Sequence, residues 1–255
     1  MSKEPYVNIE KEANGIATIT FFHPAHNSLP GAILGKLADT ITAAGEDKEV
    51  EVIILKSGGD RTFCAGASFT ELITIDDFDT GKAFFMGFAN VINACRKCPK
   101  LILGRVQGKA VGGGVGVASS VDYCFATKFA SIKLSELMVG IGPFVVGPAV
   151  ERKVGTAAFS QLAIDASEFY PASWAKEKGL YYEVFDDVET MDARIRELAE
   201  KLVNTNPEAR TLIKQATWKG TDEWDRLLSD RAGMSGQLVL SEYTKKELAK
   251  YKDKA

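Results

Sequence analysis

A chain of 255 residues, 45% hydrophobic and 25% charged with a formal net charge of −3, has the make-up of an ordinary globular protein and the length for one α/β domain with a terminal extension. The acidic balance argues against a broad nucleic-acid footprint, and no uncharged apolar run reaches membrane-spanning length, because Arg105 and Lys109 interrupt the most apolar region. The polar opening Met1-Ser2-Lys3-Glu4-Pro5 lacks the apolar stretch of a secretory signal, so a cytoplasmic location is expected.

Val7 to Glu10 and Gly15 to Phe22 read as strands joined by a turn at Ala13-Asn14-Gly15. Leu34, Leu37 and Ile41 recur at helical spacing and predict a helix over Gly31–Gly45. Val50 to Leu55 is a continuous apolar run of strand length, suited to burial on both faces. The acidic stretch from Glu71 to Thr80 reads as a mobile lid or a plain surface loop. A helix follows over Phe84 to Cys95, ended by Pro99. Leu101 to Val106, Tyr123 to Thr127 and Ile132 to Leu134 complete the strands of this half, with a short helix from Gly113 to Ser119 between the first two. Strands alternating with helices predict an α/β fold with substantial parallel pairing.

Beyond Val146 helices dominate, over Ala149–Val154, Ala157–Ala166 and Ser173–Lys178, interrupted by one strand from Tyr182 to Phe185. Met191, Ile195, Leu198 and Leu202 form the apolar stripe of an amphipathic helix over Thr190–Asn204. Another helix runs between Pro207 and Gly220, and the tail from Thr221 to Ala255 reads as helical, ending in the charged run Tyr243–Lys254. The chain therefore divides into a core over 1–190 and a C-terminal helical region over 191–255.

The chemistry concentrates in two glycine-bearing turns and one carboxylate. The turns are Phe63-Cys64-Ala65-Gly66-Ala67-Ser68 and Gly108-Lys109-Ala110-Val111-Gly112-Gly113-Gly114-Val115-Gly116; the carboxylate is Glu136. Small residues in two separate loops let two backbone N–H groups converge on one oxygen, as an oxyanion hole requires. A dinucleotide fingerprint fits poorly, since counting from Gly112 or Gly114 puts Val117 or Ser119 where its third glycine belongs. Cys95 and Cys98 form a CxxC, but His23 and His26 are distant in sequence, so the four cysteines read as packing residues and no metal site is expected. No serine–carboxylate pattern accompanies the histidines, which leaves a hydrolase triad without support.

Taken together, these residues resemble the enoyl-CoA hydratase/isomerase (crotonase) superfamily. The likeness extends over most of the chain, through Asn27-Ser28-Leu29, Phe63 to Ala67, Gly108 to Gly114 followed by Asp122, Glu136, and Ala175-Lys176-Glu177-Lys178-Gly179-Leu180. It implies a spiral of ββα units with a C-terminal helical trimerisation region, and assembly as a homotrimer or a dimer of trimers. The implied partner is an acyl-CoA thioester, with no cofactor beyond the coenzyme A of the substrate, no nucleic acid and no membrane. The implied catalytic groups are Glu136 and the N–H groups of Ala67 and Gly113. Substrate contacts are implied for Ala65, Gly66, Ser68, Phe69, Gly112 and Phe144.

Two departures bear on the reaction. The hydratases of this family use a second glutamate where this chain has Gly116, and Pro143-Phe144-Val145-Val146-Gly147 is bulkier than their corresponding segment. A single carboxylate suffices to move a double bond, so enoyl-CoA isomerase-like chemistry is the leading expectation. Hydration or dehydration of an enoyl-CoA, including a branched one such as methylglutaconyl-CoA, is the alternative, followed by hydrolytic or decarboxylative chemistry of the superfamily and by a non-catalytic acyl-CoA-binding subunit. Leu137, Val139, Phe144 and Val145 are expected to raise the Glu136 pKa by desolvation. Of the other acids, Asp122 reads as structural, Glu151 as an ion-pair partner of Arg152 and Lys153, and Glu71 as able to reach the site only if its loop closes.

Overall fold

The structure, a computed structural model, describes residues 4–250. Its largest element is a six-stranded sheet in the order β1-β2-β4-β7-β9-β11, made from Tyr6–Lys11, Ile16–Phe22, Val52–Ser57, Leu101–Val106, Tyr123–Thr127 and Glu183–Phe185. Only β1 and β2 run antiparallel; the other neighbours are parallel. Three further strands, β5 (Thr62–Cys64), β8 (Lys109–Val111) and β10 (Ile132–Lys133), form a small parallel sheet in the order β10-β8-β5. β3 (Ser28–Leu29) pairs with β6 (Gly66–Ala67). The central turns of the chain thus lay one strand in the large sheet and the next in a smaller one, as β4 then β5, β7 then β8, and β9 then β10. That is the ββα spiral that the family resemblance implies.

The large sheet is apolar on both faces, which explains why its strands read as continuous apolar runs. Ile53 and Leu55 face the core under α1 (Gly31–Glu46) and α3 (Phe78–Lys97). Their alternates Val52 and Ile54 join Ile16, Leu103 and Phe125 beneath Met191, Ile195 and Ala199 of α7 (Val188–Val203). The amphipathic stripe read from the sequence is therefore the covering of the outer sheet face.

The segment from Glu71 to Thr80 differs from the loop expectation. It holds the end of a short helix, α2 (Phe69–Leu72), and the start of α3, which begins at Phe78 and not Phe84. Asp77 caps α3 by accepting from the Thr80 N–H at 2.9 Å. Gly81 disguises this first turn because glycine weakens helix propensity. Its role is spatial: a Cβ there would lie 3.1 Å from the Cα of Gly236, where α3 meets α9 (Trp224–Val239). The helices expected over Ala149–Val154 and Ala157–Ala166 form α5 (Gly147–Ile164), kinked at Gly155. After α6 (Ala172–Glu177), α8 (Pro207–Thr217) and α9, α10 spans Glu242–Ala249; the charged run from Tyr243 begins within it, and its last residues lie outside the described ones. Among the described residues no helix is long and apolar enough to cross a membrane.

Asp122 ties the C-terminal half to the sheet. Its carboxylate pairs with Lys214 of α8 at 2.8 Å and accepts from Trp218 Nε1 and the Ile102 N–H, each at 2.8 Å. The buried acid is fully partnered, in agreement with its structural reading. Asn27, in the left-handed region at φ 54–55 with its neighbour His26, does the equivalent work at the other end. Its Nδ2 donates to the carbonyls of Gly58 (2.9 Å) and Thr62 (3.0 Å), and its Oδ1 accepts from the His23 N–H at 2.7 Å. One buried amide thereby holds the loop before β3 against the two ends of the connection between β4 and β5.

Candidate active site

The site forms where β6, β8 and β10 end. Gly66 of β6 has φ +94° and Gly112, just past β8, has φ +51°, conformations that favour glycine. The two turns touch: a Cβ on Gly66 would lie 3.2 Å from the Val111 carbonyl oxygen and 3.8 Å from the Gly113 nitrogen. Gly112 donates to the Lys133 carbonyl at 2.8 Å and so brings the end of β10 alongside. Two residues beyond β10 the backbone enters a 3₁₀ turn, Glu136–Val139, that carries the carboxylate. A Cβ at Gly112 would stand 3.1 Å from Glu136 Oε1, so only glycine leaves the carboxylate its position against this turn.

Gly113 opens α4 (Gly113–Ser120), every residue of which is buried. As the first helical residue its N–H has no intrahelical partner, and the helix dipole places partial positive charge there. Phe88 of α3 packs on this point; a Cβ at Gly113 would come within 2.3 Å of its Cζ. The far end of the 3₁₀ turn is held by the last described helix, where Thr244 Oγ1 donates to the Gly140 carbonyl at 3.1 Å.

These elements line a cavity of about 230 Å³ that opens to the surface. Ala65, Gly66, Ala67, Phe69, Gly112, Gly113, Glu136 and Phe144 all line it, bringing together nearly all the residues singled out from the sequence. Ser68 is the exception. Its side chain caps α2, accepting from the Glu71 N–H at 3.3 Å and bonding the Thr70 hydroxyl at 2.9 Å. The hydroxyl of Ser28 also lines the cavity and donates to the Ala67 carbonyl at 2.9 Å, fixing the plane of that peptide.

Glu136 is half-buried as a residue, but its Oε2 is sealed from solvent and has no hydrogen-bond partner. Desolvation pushes its pKa up to about 7, opposed in smaller part by its own backbone N–H. Of the four apolar neighbours expected to cause this, Val139, Phe144 and Val145 line the cavity. Leu137 does not; with Met138 it is exposed on the outside of the turn.

Glu136 is the one carboxylate among the described residues that line the cavity. Glu71 is committed elsewhere, its Oε2 accepting from the Gly31 N–H at 2.9 Å at the start of α1. Glu151 accepts from the Thr156 hydroxyl at 2.6 Å in place of the expected ion pair. At Gly116 a Cβ would meet Val146 Cγ1 at 2.5 Å, so the room for a second carboxylate is filled by an apolar wall residue. Cys64, Cys95, Cys98 and Cys124 are free and buried, and burial pushes the Cys64, Cys95 and Cys124 thiols up to about 12, which makes them poor nucleophiles.

The part of the site missed from sequence is the wall supplied by α3. Phe84, Phe85 and Phe88 of α3, with Ser235 of α9, line the same cavity. Their helical spacing is visible in the chain, but a phenylalanine face on a helix reads as core until its neighbours are known.

The α/β spiral thus brings two glycine turns and one desolvated carboxylate together at a single cavity. A family model described as enoyl-CoA hydratase/isomerase matches residues 11–255. The chain belongs to that family. It is 31% identical over 216 residues to the short-chain-enoyl-CoA hydratase of Clostridium acetobutylicum, covering 84% of this chain and 81% of the relative. It is 28% identical over 220 residues to the mitochondrial methylglutaconyl-CoA hydratase of Rattus norvegicus, covering 84% and 69%. In fold it superposes on the crystal structure of an enoyl-CoA hydratase from Bacillus halodurans with a TM-score of 0.88 at 20% identity, over 96% of this chain and 99% of the other.

Proposed function

We propose that the protein moves the double bond of an enoyl-CoA thioester, with Glu136 as its only proton carrier. The observation that carries this reading is the solitary carboxylate: the position for a second acid is Gly116, closed by Val146. In this reading the thioester oxygen accepts from the N–H groups of Ala67 and Gly113. Ionised Glu136 removes a proton from the carbon next to the thioester carbonyl. Negative charge spreads from that carbon onto the oxygen and into the adjoining double bond. The protonated acid then returns the proton to the far carbon, and the double bond ends conjugated with the thioester. A pKa near 7 suits a group that must both take and give a proton.

Hydration is the second reading, favoured by the relatives named hydratases. It asks one carboxylate both to activate water at C3 and to supply the proton at C2. The two readings separate on a 3-enoyl-CoA offered alone. An isomerase forms the conjugated 2-enoyl-CoA, whose thioester absorbance rises; a hydratase leaves the 3-enoyl-CoA untouched and consumes the 2-enoyl-CoA. The self-association implied by the family resemblance belongs to the same proposal, with sedimentation of the purified protein as its test.

A further inference from the structure

We propose that the acyl group accepted by this site is wholly uncharged and apolar and has at most about nine carbon atoms, a limit set by the phenylalanines of α3 and the C-terminal helices behind them. This rests on the acyl-CoA reading of the site and adds the class of acyl chain to it.

The charge limit follows from the walls. Phe69, Phe84, Phe85, Phe88 and Phe144 contribute aromatic surface, and no lysine, arginine or histidine is among the described residues that line the cavity. Its one ionisable group is Glu136, which is already desolvated and raised in pKa. A second carboxylate on the acyl chain would be buried without a cation, next to a group of like charge. A dicarboxylic chain such as a glutaryl or methylglutaconyl group is therefore excluded.

The length limit follows from volume and from the packing behind α3. An apolar cavity of about 150 Å³ holds benzene, six carbons. At the same filling, 230 Å³ holds about nine. Behind the α3 phenylalanines lies an apolar cluster. Phe84 and Phe85, their rings edge to face at 5.1 Å, pack with Leu72 and Val139 against Ile75, Ile141, Val239 and Leu248. Val239 and Leu248 come from α9 and α10, and the Gly81–Gly236 approach fixes α9 against α3.

The test is calorimetric binding of saturated acyl-CoAs, which have no double bond to move, to the full-length wild-type protein. Affinity should rise about fourfold per methylene from butanoyl- through octanoyl-CoA and fall again at dodecanoyl-CoA. Glutaryl-CoA should bind about 100-fold or more weaker than pentanoyl-CoA. Phe85→Ala should raise the ratio of dodecanoyl-CoA to butanoyl-CoA affinity at least tenfold; Phe85→Leu, which keeps an apolar side chain, should raise it to a smaller extent. Glutaryl-CoA within threefold of pentanoyl-CoA, or dodecanoyl-CoA as tight as octanoyl-CoA in the wild type, overturns the proposal. Because only binding is read, a protein that fails to isomerise 3-enoyl-CoA but shows this profile refutes the proposed reaction and leaves the acyl class standing.

Discussion

The absence of a second glutamate can be probed through the pair Gly116 and Val146. A methyl group at 116 would sit 2.5 Å from Val146 Cγ1 and 2.8 Å from its Cβ, inside contact distance for both. Overpacking of this kind costs about 1–3 kcal/mol. Alanine in place of a helical glycine returns about 1 kcal/mol, so Gly116→Ala should destabilise by about 0–2 kcal/mol. Val146, 4% exposed, loses two buried methyl groups in Val146→Ala, about 2 kcal/mol with its cavity. In the double variant the contact with Cγ1 is gone and part of the cavity fills, while the 2.8 Å approach to the Cβ of residue 146 remains, so the strain is relieved in part. Denaturant unfolding of the four proteins should show the double variant more stable than the sum of the singles by about 1–3 kcal/mol. Additivity within about 0.5 kcal/mol would refute the steric account. If the account holds, Gly116→Glu should gain measurable hydration of 2-enoyl-CoA only when combined with Val146→Gly.

Other expectations rest on the same geometry. Because Glu136 works as a base when ionised, kcat/KM should rise about tenfold per pH unit below 7 and level off above it, an inflection that a pH–rate profile would show or exclude. The linkage to stability has the opposite sense: with a folded pKa of about 7 against 4.5 unfolded, native Glu136 keeps its proton while the unfolded chain loses it. Stability therefore falls as pH rises from 4.5 to 7, by at most about 1.4 kcal/mol for each pH unit crossed, and is flat above. Glu136→Gln should accordingly be more stable than the wild type at pH 8 and equal to it at pH 4 in thermal melts. Asp122→Ala strands Lys214, 3% exposed, and should cost about 3–5 kcal/mol in denaturant unfolding, partly recovered by adding Lys214→Met. Gly113→Ala should push against Phe88 and displace its own N–H, lowering kcat by about 100- to 1,000-fold in steady-state assays.

Much of this architecture is legible in the chain because single residues carry single jobs. Val52 to Leu55 announce a doubly covered strand, and Met191, Ile195 and Leu198 announce the helix that covers it. Gly66 and Gly112 announce turns, and both have positive φ in the structure. What escapes are features created by close approaches between distant segments. Gly81 looks like a helix breaker because Gly236, its reason for being small, is far away in sequence. Leu137 stands next to the carboxylate in sequence, yet a 3₁₀ turn points neighbouring side chains in different directions, and it is exposed. Ser68 follows Ala67 directly, but its hydroxyl caps α2 and does not reach the cavity. The α3 wall is hidden for the converse reason, since only the fold brings Phe85 and Phe88 to the cavity that Glu136 lines.

The most direct test of Glu136 as sole proton carrier is exchange in deuterated water. The wild type and Glu136→Gln would each be incubated with a saturated acyl-CoA of six carbons, and deuterium at the carbon next to the thioester followed by mass spectrometry. The account predicts steady incorporation by the wild type and loss of exchange by at least about 1,000-fold in the variant, with binding of the acyl-CoA preserved. Exchange by Glu136→Gln at the wild-type rate would mean that another group moves the proton, and would contradict it.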